Sequence, residues 1–140
     1  MHPQEVRKQV LDLVENNTTR FCVVFDLDDT LLRIDRQSKE PLEVFDLQKS
    51  ARAPAILELV NLYQELQNKS KLLILTARPR CLEDATRCNL SRVGINKPKI
   101  FFTKNKACIR SKETLPIINI GDRDRDFVGG YWTYGFRVSP

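Results

Sequence analysis

Phe21-Cys22-Val23-Val24-Phe25-Asp26-Leu27-Asp28-Asp29-Thr30 is the stretch on which the fold turns. Its first five residues are continuously apolar and rich in β-branched and aromatic side chains, the pattern of a strand buried on both faces. Such a strand needs helices above and below it. Upstream, Val6, Val10, Leu13 and Val14 recur near helical spacing in a charged segment. This predicts an amphipathic helix over about 3–16, ended by Asn16-Asn17. Downstream, Leu72–Leu75, Ile100–Phe102, Ile117–Ile120 and Tyr134–Val138 read as four further strands. Pro54 and Pro79 are placed to open helices at their first turn. Ile56, Leu57, Val60, Leu62, Tyr63 and Leu66 supply the buried stripe of the first; the second runs to about Val93 and is closed by Gly94. A short helix is expected over 105–113 and a turn or short helix over 124–129. Arg33 to Ala53 is polar, contains Pro41, and reads as an irregular excursion with a turn or two of structure. Strands alternating with helices predict an α/β three-layer sandwich around a mostly parallel five-stranded sheet.

The chain has 140 residues, one domain's length, with 41% apolar and 29% charged residues. That composition excludes a disordered tail or a fibrous protein. The expected organisation is a single domain over 1–140, with a helix and linker over 1–20 and a short insert over about 32–53. No apolar run approaches the roughly 18 residues of a membrane helix, so no membrane partner is expected. Met1 to Glu15 shows no apolar signal-peptide core, which makes a cytoplasmic, reducing compartment the expectation. The four cysteines are scattered and the single histidine is His2. A structural zinc site and a histidine-dependent nucleophile are therefore not expected. The net charge of +5 suits an anionic partner or substrate.

Ligands of such sheets bind beyond the carboxyl ends of the strands. Asp26 and Asp28 follow the first strand, Thr76 and Arg78 the second, Lys104 and Lys106 the third, and Asp122 and Asp126 the fourth. Clustered carboxylates repel one another unless a cation sits among them. An oxygen-only ligand set suits Mg²⁺. A hydroxyl and an ammonium add donors for phosphoryl oxygens. Together these groups describe phosphoryl transfer through an aspartyl-phosphate.

Phe25–Leu32, with Asp26-Leu27-Asp28-Asp29-Thr30 at its centre, resembles the first motif of the haloacid dehalogenase-like phosphatase superfamily. Leu75-Thr76-Ala77-Arg78-Pro79 resembles the second, Lys106 the third-motif lysine, and Gly121-Asp122 with Asp126 the fourth. All four occur in order, across residues 21–138. The run from Gly121 to Gly130, then Trp132 and Phe136–Pro140, is similar to the class B acid phosphatase and vegetative storage protein branch, as is Lys106 followed by Arg110. The signal peptide and longer N-terminal region of that branch's secreted members are not seen, so its substrate is not carried over.

The resemblance implies strand order 5-4-1-2-3, Asp26 as nucleophile and Mg²⁺ ligand, and Asp28 as general acid–base whose backbone carbonyl also binds Mg²⁺. It implies Asp122 as a metal ligand, Asp126 as a metal-side carboxylate that orients the lysine, and Thr76 and Lys106 as phosphoryl holders. Lys104 stays the alternative to Lys106. Arg78, on the same rim, is a candidate contact for the substrate phosphate. Asp29 reads as a solvated or capping residue. Arg33, Arg36 and Lys39 in the insert, with Arg78 and Arg80 opposite, would favour negative charge on the substrate. The expected activity is a Mg²⁺-dependent phosphomonoesterase acting on a phosphorylated, anionic substrate, with nucleotide-like molecules among the candidates. A polynucleotide 3′-phosphatase acting on a nucleic-acid end is the first alternative, and a non-catalytic binding or storage protein the second. The oligomeric state is open.

Overall fold

Five parallel strands form one sheet: β1 (Cys22–Asp26), β2 (Lys71–Thr76), β3 (Ile100–Phe102), β4 (Ile117–Gly121) and β5 (Tyr134–Arg137). Their spatial order is β3-β2-β1-β4-β5, the expected order read from the other edge. The computed structural model describes residues 1–139; Pro140, the last residue of the Phe136–Pro140 run, lies outside the described residues. Five helices accompany the sheet: α1 (Pro3–Glu15), α2 (Pro41–Ser50), α3 (Leu57–Leu66), α4 (Glu83–Arg92) and α5 (Lys106–Ser111).

β1 is buried along its whole length, and its side chains alternate between two apolar clusters. Val23 and Phe25 join Ile74, Ile118 and Ile120 under Val6 and Val10 of α1 and Leu59, Leu62 and Leu66 of α3. The Phe25 and Tyr63 rings lie 5.3 Å apart, tilted against each other. On the other face, Cys22 and Val24 meet Leu73, Leu75 and Ile117, with Ile109 of α5 packed against them. Burial there pushes the Cys22 thiol up to about 12, so it is a neutral core group. Full burial of one such apolar side chain contributes about 1.5–3 kcal/mol. No helix among the described residues is long and apolar enough to cross a membrane.

The insert is more ordered than expected. It contains a 3₁₀ turn at Arg36–Ser38 and the ten-residue α2. Pro41 sits in the first turn of α2, and the Glu43 carboxylate accepts the Glu40 N–H at 3.3 Å, a local cap that starts the helix. Leu42 is 72% exposed and Phe45 is also exposed, so the apolar residues are split between solvent and a short inward face made by Val44 and Leu47. Pro54, in contrast, opens no helix. Its carbonyl accepts the Arg33 N–H at 2.8 Å, Ala55 bridges to Leu32, and α3 begins only at Leu57. The segment after Pro79 starts as a 3₁₀ turn, Arg80–Leu82, before α4. Gly94, at φ +96°, follows α4 as a left-handed terminator.

Candidate active site

β1 and β4 are direct neighbours, with Phe25 opposite Ile120, so the residues that leave both strands meet at one rim. One carboxylate oxygen from each of Asp26, Asp122 and Asp126 lies within 4.8 Å of the others. Lys106, at the start of α5, inserts its Nζ between Asp26 at 2.7 Å and Asp126 at 2.6 Å. Lys104 is exposed and lines no part of this cleft. Thr30 donates its hydroxyl to Asp26 at 3.2 Å. The second oxygen of Asp126 accepts the backbone N–H groups of Asp122 and Arg123, each at 3.1 Å. This fold-back requires Gly121: a Cβ there would stand 2.5–2.7 Å from the Asp126 side chain. Beneath the loop, Arg110 donates to the carbonyls of Asp126, Val128 and Gly130 at 2.8–2.9 Å.

Asp28 leaves the strand direction in a tight turn. Asp29 takes φ 60°, and the Leu31 N–H reaches back to the Leu27 carbonyl at 2.9 Å. The Asp28 carboxylate is 3% exposed as a residue and is gripped from two sides. Arg78 donates to it through Nε at 3.1 Å and Nη2 at 2.6 Å, and Gln48 of α2 through Nε2 at 2.8 Å. The remaining Arg78 nitrogen donates to Thr86 at 2.9 Å. The guanidinium expected to face a phosphoryl group is thus committed to Asp28 and Thr86, with its side chain fully buried. Thr76 ends β2 on the cleft wall. Its oxygen accepts the Arg78 N–H at 3.1 Å, and its hydroxyl donates to no acceptor among the described residues.

The insert arginines also lie elsewhere than expected. Arg36 turns inward, with Nη2 3.0 Å from the Asp28 carbonyl oxygen and 3.1 Å from both Asp122 carboxylate oxygens. Asp29 is the anchor of this arm: it accepts the backbone N–H groups of Ile34 at 2.9 Å, Asp35 at 2.7 Å and Arg36 at 3.2 Å. Those donors outweigh burial and hold its carboxyl below the usual range. Arg33 sits 3.7 Å from Asp35, Lys39 donates to the Ile34 carbonyl, and Arg80 faces Glu83 from solvent. The cations that line the mouth without an ion pair among the described residues are Arg123 and Arg125. The cleft encloses about 200 Å³.

Four carboxylates, those of Asp26, Asp28, Asp122 and Asp126, face three cations, Lys106, Arg36 and Arg78. Burial pushes the Asp26 carboxyl well above its usual range. Lys106 opposes the shift, while Asp126 and Asp122 add to it. Burial works against the charge on Lys106 too, but Asp26 and Asp126 outweigh it and the ammonium is held more tightly than usual. A cluster of carboxylates that offers only oxygen donors fits a hard divalent cation such as Mg²⁺. Asp26, Asp122 and the Asp28 carbonyl could hold it, with Asp126 alongside.

Gln48 and Thr86 went unread as site residues. Gln48 rides on a helix that turns Leu42 and Phe45 to solvent and only Val44 and Leu47 to the core, and Thr86 sits on α4, which reads only as a packing helix.

No family model matches the chain, and no curated protein does. Solved structures do. The class C acid phosphatase from Bacillus anthracis superposes with a TM-score of 0.73 at 24% identity, over 91% of this chain and 62% of that one. Its tungstate-bound structure gives 0.68 at 23% identity, over 90% and 61%. A chain of the Pnkp1/Rnl/Hen1 complex gives 0.66 at 15% identity, over 87% and 47%. The chain therefore spans less than two-thirds of the length of each. The first two are class C acid phosphatases; the tail motifs of this chain resemble the class B branch. At such identities the likeness is one of fold: the chain shares the α/β fold of these structures, with its parallel five-stranded sheet in the order β3-β2-β1-β4-β5.

Proposed function

We propose that the protein is a Mg²⁺-dependent phosphomonoesterase that works through an aspartyl-phosphate on Asp26. The observation that carries this reading is the Asp26 carboxylate, buried on the wall of the cleft and held by Lys106 and Thr30. An Asp26 oxygen attacks phosphorus, and the bond from phosphorus to the leaving oxygen breaks. Lys106 and Thr76 hold the phosphoryl oxygens. Asp28 takes up a proton from solvent as substrate binds and passes it to the leaving oxygen, and Arg78 and Gln48 stabilise and aim the carboxylate that remains. Asp28 then takes a proton from water, whose oxygen attacks phosphorus and restores Asp26. Bound Mg²⁺ supplies the charge neutralisation that lets a phosphate dianion approach a carboxylate.

A phosphate-release screen with and without Mg²⁺ tests the proposal. It should span mononucleotides, phosphosugars, phosphopeptides and 3′-phosphorylated oligonucleotides, with Asp26→Asn as control. Metal-dependent release lost in the control is the expected result; release equal in the control overturns it. Arg123 and Arg125 at the mouth favour a second reading within this activity, in which the substrate is a nucleic-acid 3′ end.

A further inference from the structure

We infer that Arg36 is a built-in counter-ion of the metal site: its guanidinium occupies the place that Mg²⁺ takes, and the metal binds only by displacing it. The inference rests on the metal reading above and concerns how the chain itself competes for that position.

One nitrogen of Arg36 faces two of the three groups expected to hold the ion, the Asp28 carbonyl and the Asp122 carboxylate. Nη2 lies 3.0 Å from the Asp28 carbonyl and 3.1 Å from each oxygen of Asp122. Mg²⁺ binds oxygen at about 2.0–2.1 Å in a near-octahedral shell. An ion bound to the Asp28 carbonyl and an Asp122 oxygen falls in the space that Nη2 fills, so the two exclude one another. The Arg36 side chain is 16% exposed and that of Asp122 13%, so water screens the pair little.

Charge leads to the same exchange. Adding a divalent ion while Arg36 stayed would set two cations in contact at the Asp122 carboxylate. The neighbouring carboxylates bind Arg36 as a true cation: burial disfavours its charge, yet Asp26, Asp122, Asp28 and Asp29 together hold its proton more tightly than usual.

The arm is built to release the side chain without unravelling. Asp29 and Asp35 both adopt left-handed backbone, at φ 60° and 56°, and the Asp29 carboxylate holds three consecutive backbone N–H groups of the arm. Those three bonds are to backbone and stay when the side chain moves; the guanidinium itself is tied to Asp29 by one longer bond, from Nε at 3.3 Å. Arg36 also forms the wall between the cleft and a second cavity of about 380 Å³, lined by Asp29, Arg33, Ser38 and Arg137 among others. That cavity gives the displaced side chain room.

The test is Mg²⁺ titration by calorimetry of the wild-type chain, Arg36→Gln and Arg36→Ala, with melting temperatures of the metal-free proteins. The expected result is at least a tenfold tighter Mg²⁺ Kd in both variants and a lower metal-free melting temperature. An affinity within twofold of wild type overturns the inference and leaves the phosphatase reading standing. An absence of Mg²⁺ binding in all three proteins overturns both. On the unaltered chain, the Nε–H resonance of Arg36 should move toward that of a solvated arginine as Mg²⁺ saturates. A resonance unmoved at saturation overturns the inference even if the variants do not fold.

Discussion

Arg78 and Asp28 form a buried ion pair in which Nη2 lies 2.6 Å from one carboxylate oxygen and Nε 3.1 Å from both. The arrangement makes Arg78 a positioning residue for Asp28. Removing one partner of a buried pair typically costs about 3–5 kcal/mol, because the other charge is left uncompensated. Arg78→Ala should therefore lose about that much in urea unfolding. Arg78→Lys keeps the charge but not the fork or the Thr86 bond, so kcat should fall with KM little changed. A dominant rise in KM would instead make Arg78 a phosphate ligand.

Asp26→Asn should reduce turnover at least about a thousandfold, since an amide cannot take the nucleophile's place. Its effect on stability has a defined sign. The folded Asp26 carboxyl binds its proton more tightly than the unfolded one, whose usual value is 3.8. Its contribution favours the fold below that value and is lost as pH rises through the raised folded value. In metal-free buffer at pH 7 the Asn variant should melt higher than wild type, and at about pH 3 the difference should vanish. A lower melting temperature at pH 7 would contradict the electrostatics described for the cluster.

Asp122 and Asp124 separate the metal assignment from simple surface charge. Asp122 shares the rim with Asp26, whereas the Asp124 side chain is 87% exposed and pairs with Arg137. Asp122→Ala should abolish or greatly weaken Mg²⁺-dependent turnover, and Asp124→Ala should leave it near wild type. A metal titration in which Asp124→Ala proves the more damaging substitution would reverse the assignment.

Substrate charge should be read by Arg123 and Arg125, not by the insert arginines. Nucleotides or 3′-phosphorylated oligonucleotides should exceed neutral small monoesters in kcat/KM, with a margin that shrinks as salt rises. Replacing both arginines by Ala should remove the margin. A clear preference for a two-carbon ester such as phosphoglycolate would reject this expectation.

How much of this was written in the chain depends on whether the signal is local. The strands were legible because burial on both faces demands unbroken apolar runs such as Phe21–Phe25 and Leu72–Leu75. Proline, glycine and the order of the four motifs marked the strand ends that carry Asp26, Thr76, Lys106 and Asp122. α2 was not legible, because it starts on a local cap and carries Leu42 and Phe45 outward. Nor were the partners of the arginines. A sequence shows that residues 36 and 78 carry guanidinium groups, but an ion pair forms only where the fold brings a carboxylate within about 3 Å. The sheet order puts β1 and β4 side by side, so Asp28 and Asp122 leave neighbouring strands at one rim, and the insert, folded back by Asp29, carries Arg36 between them. The types of charge at this site were determined by sequence alone; which charge neutralises which was decided by the tertiary structure, because Coulomb attraction depends on distance in space and not along the chain.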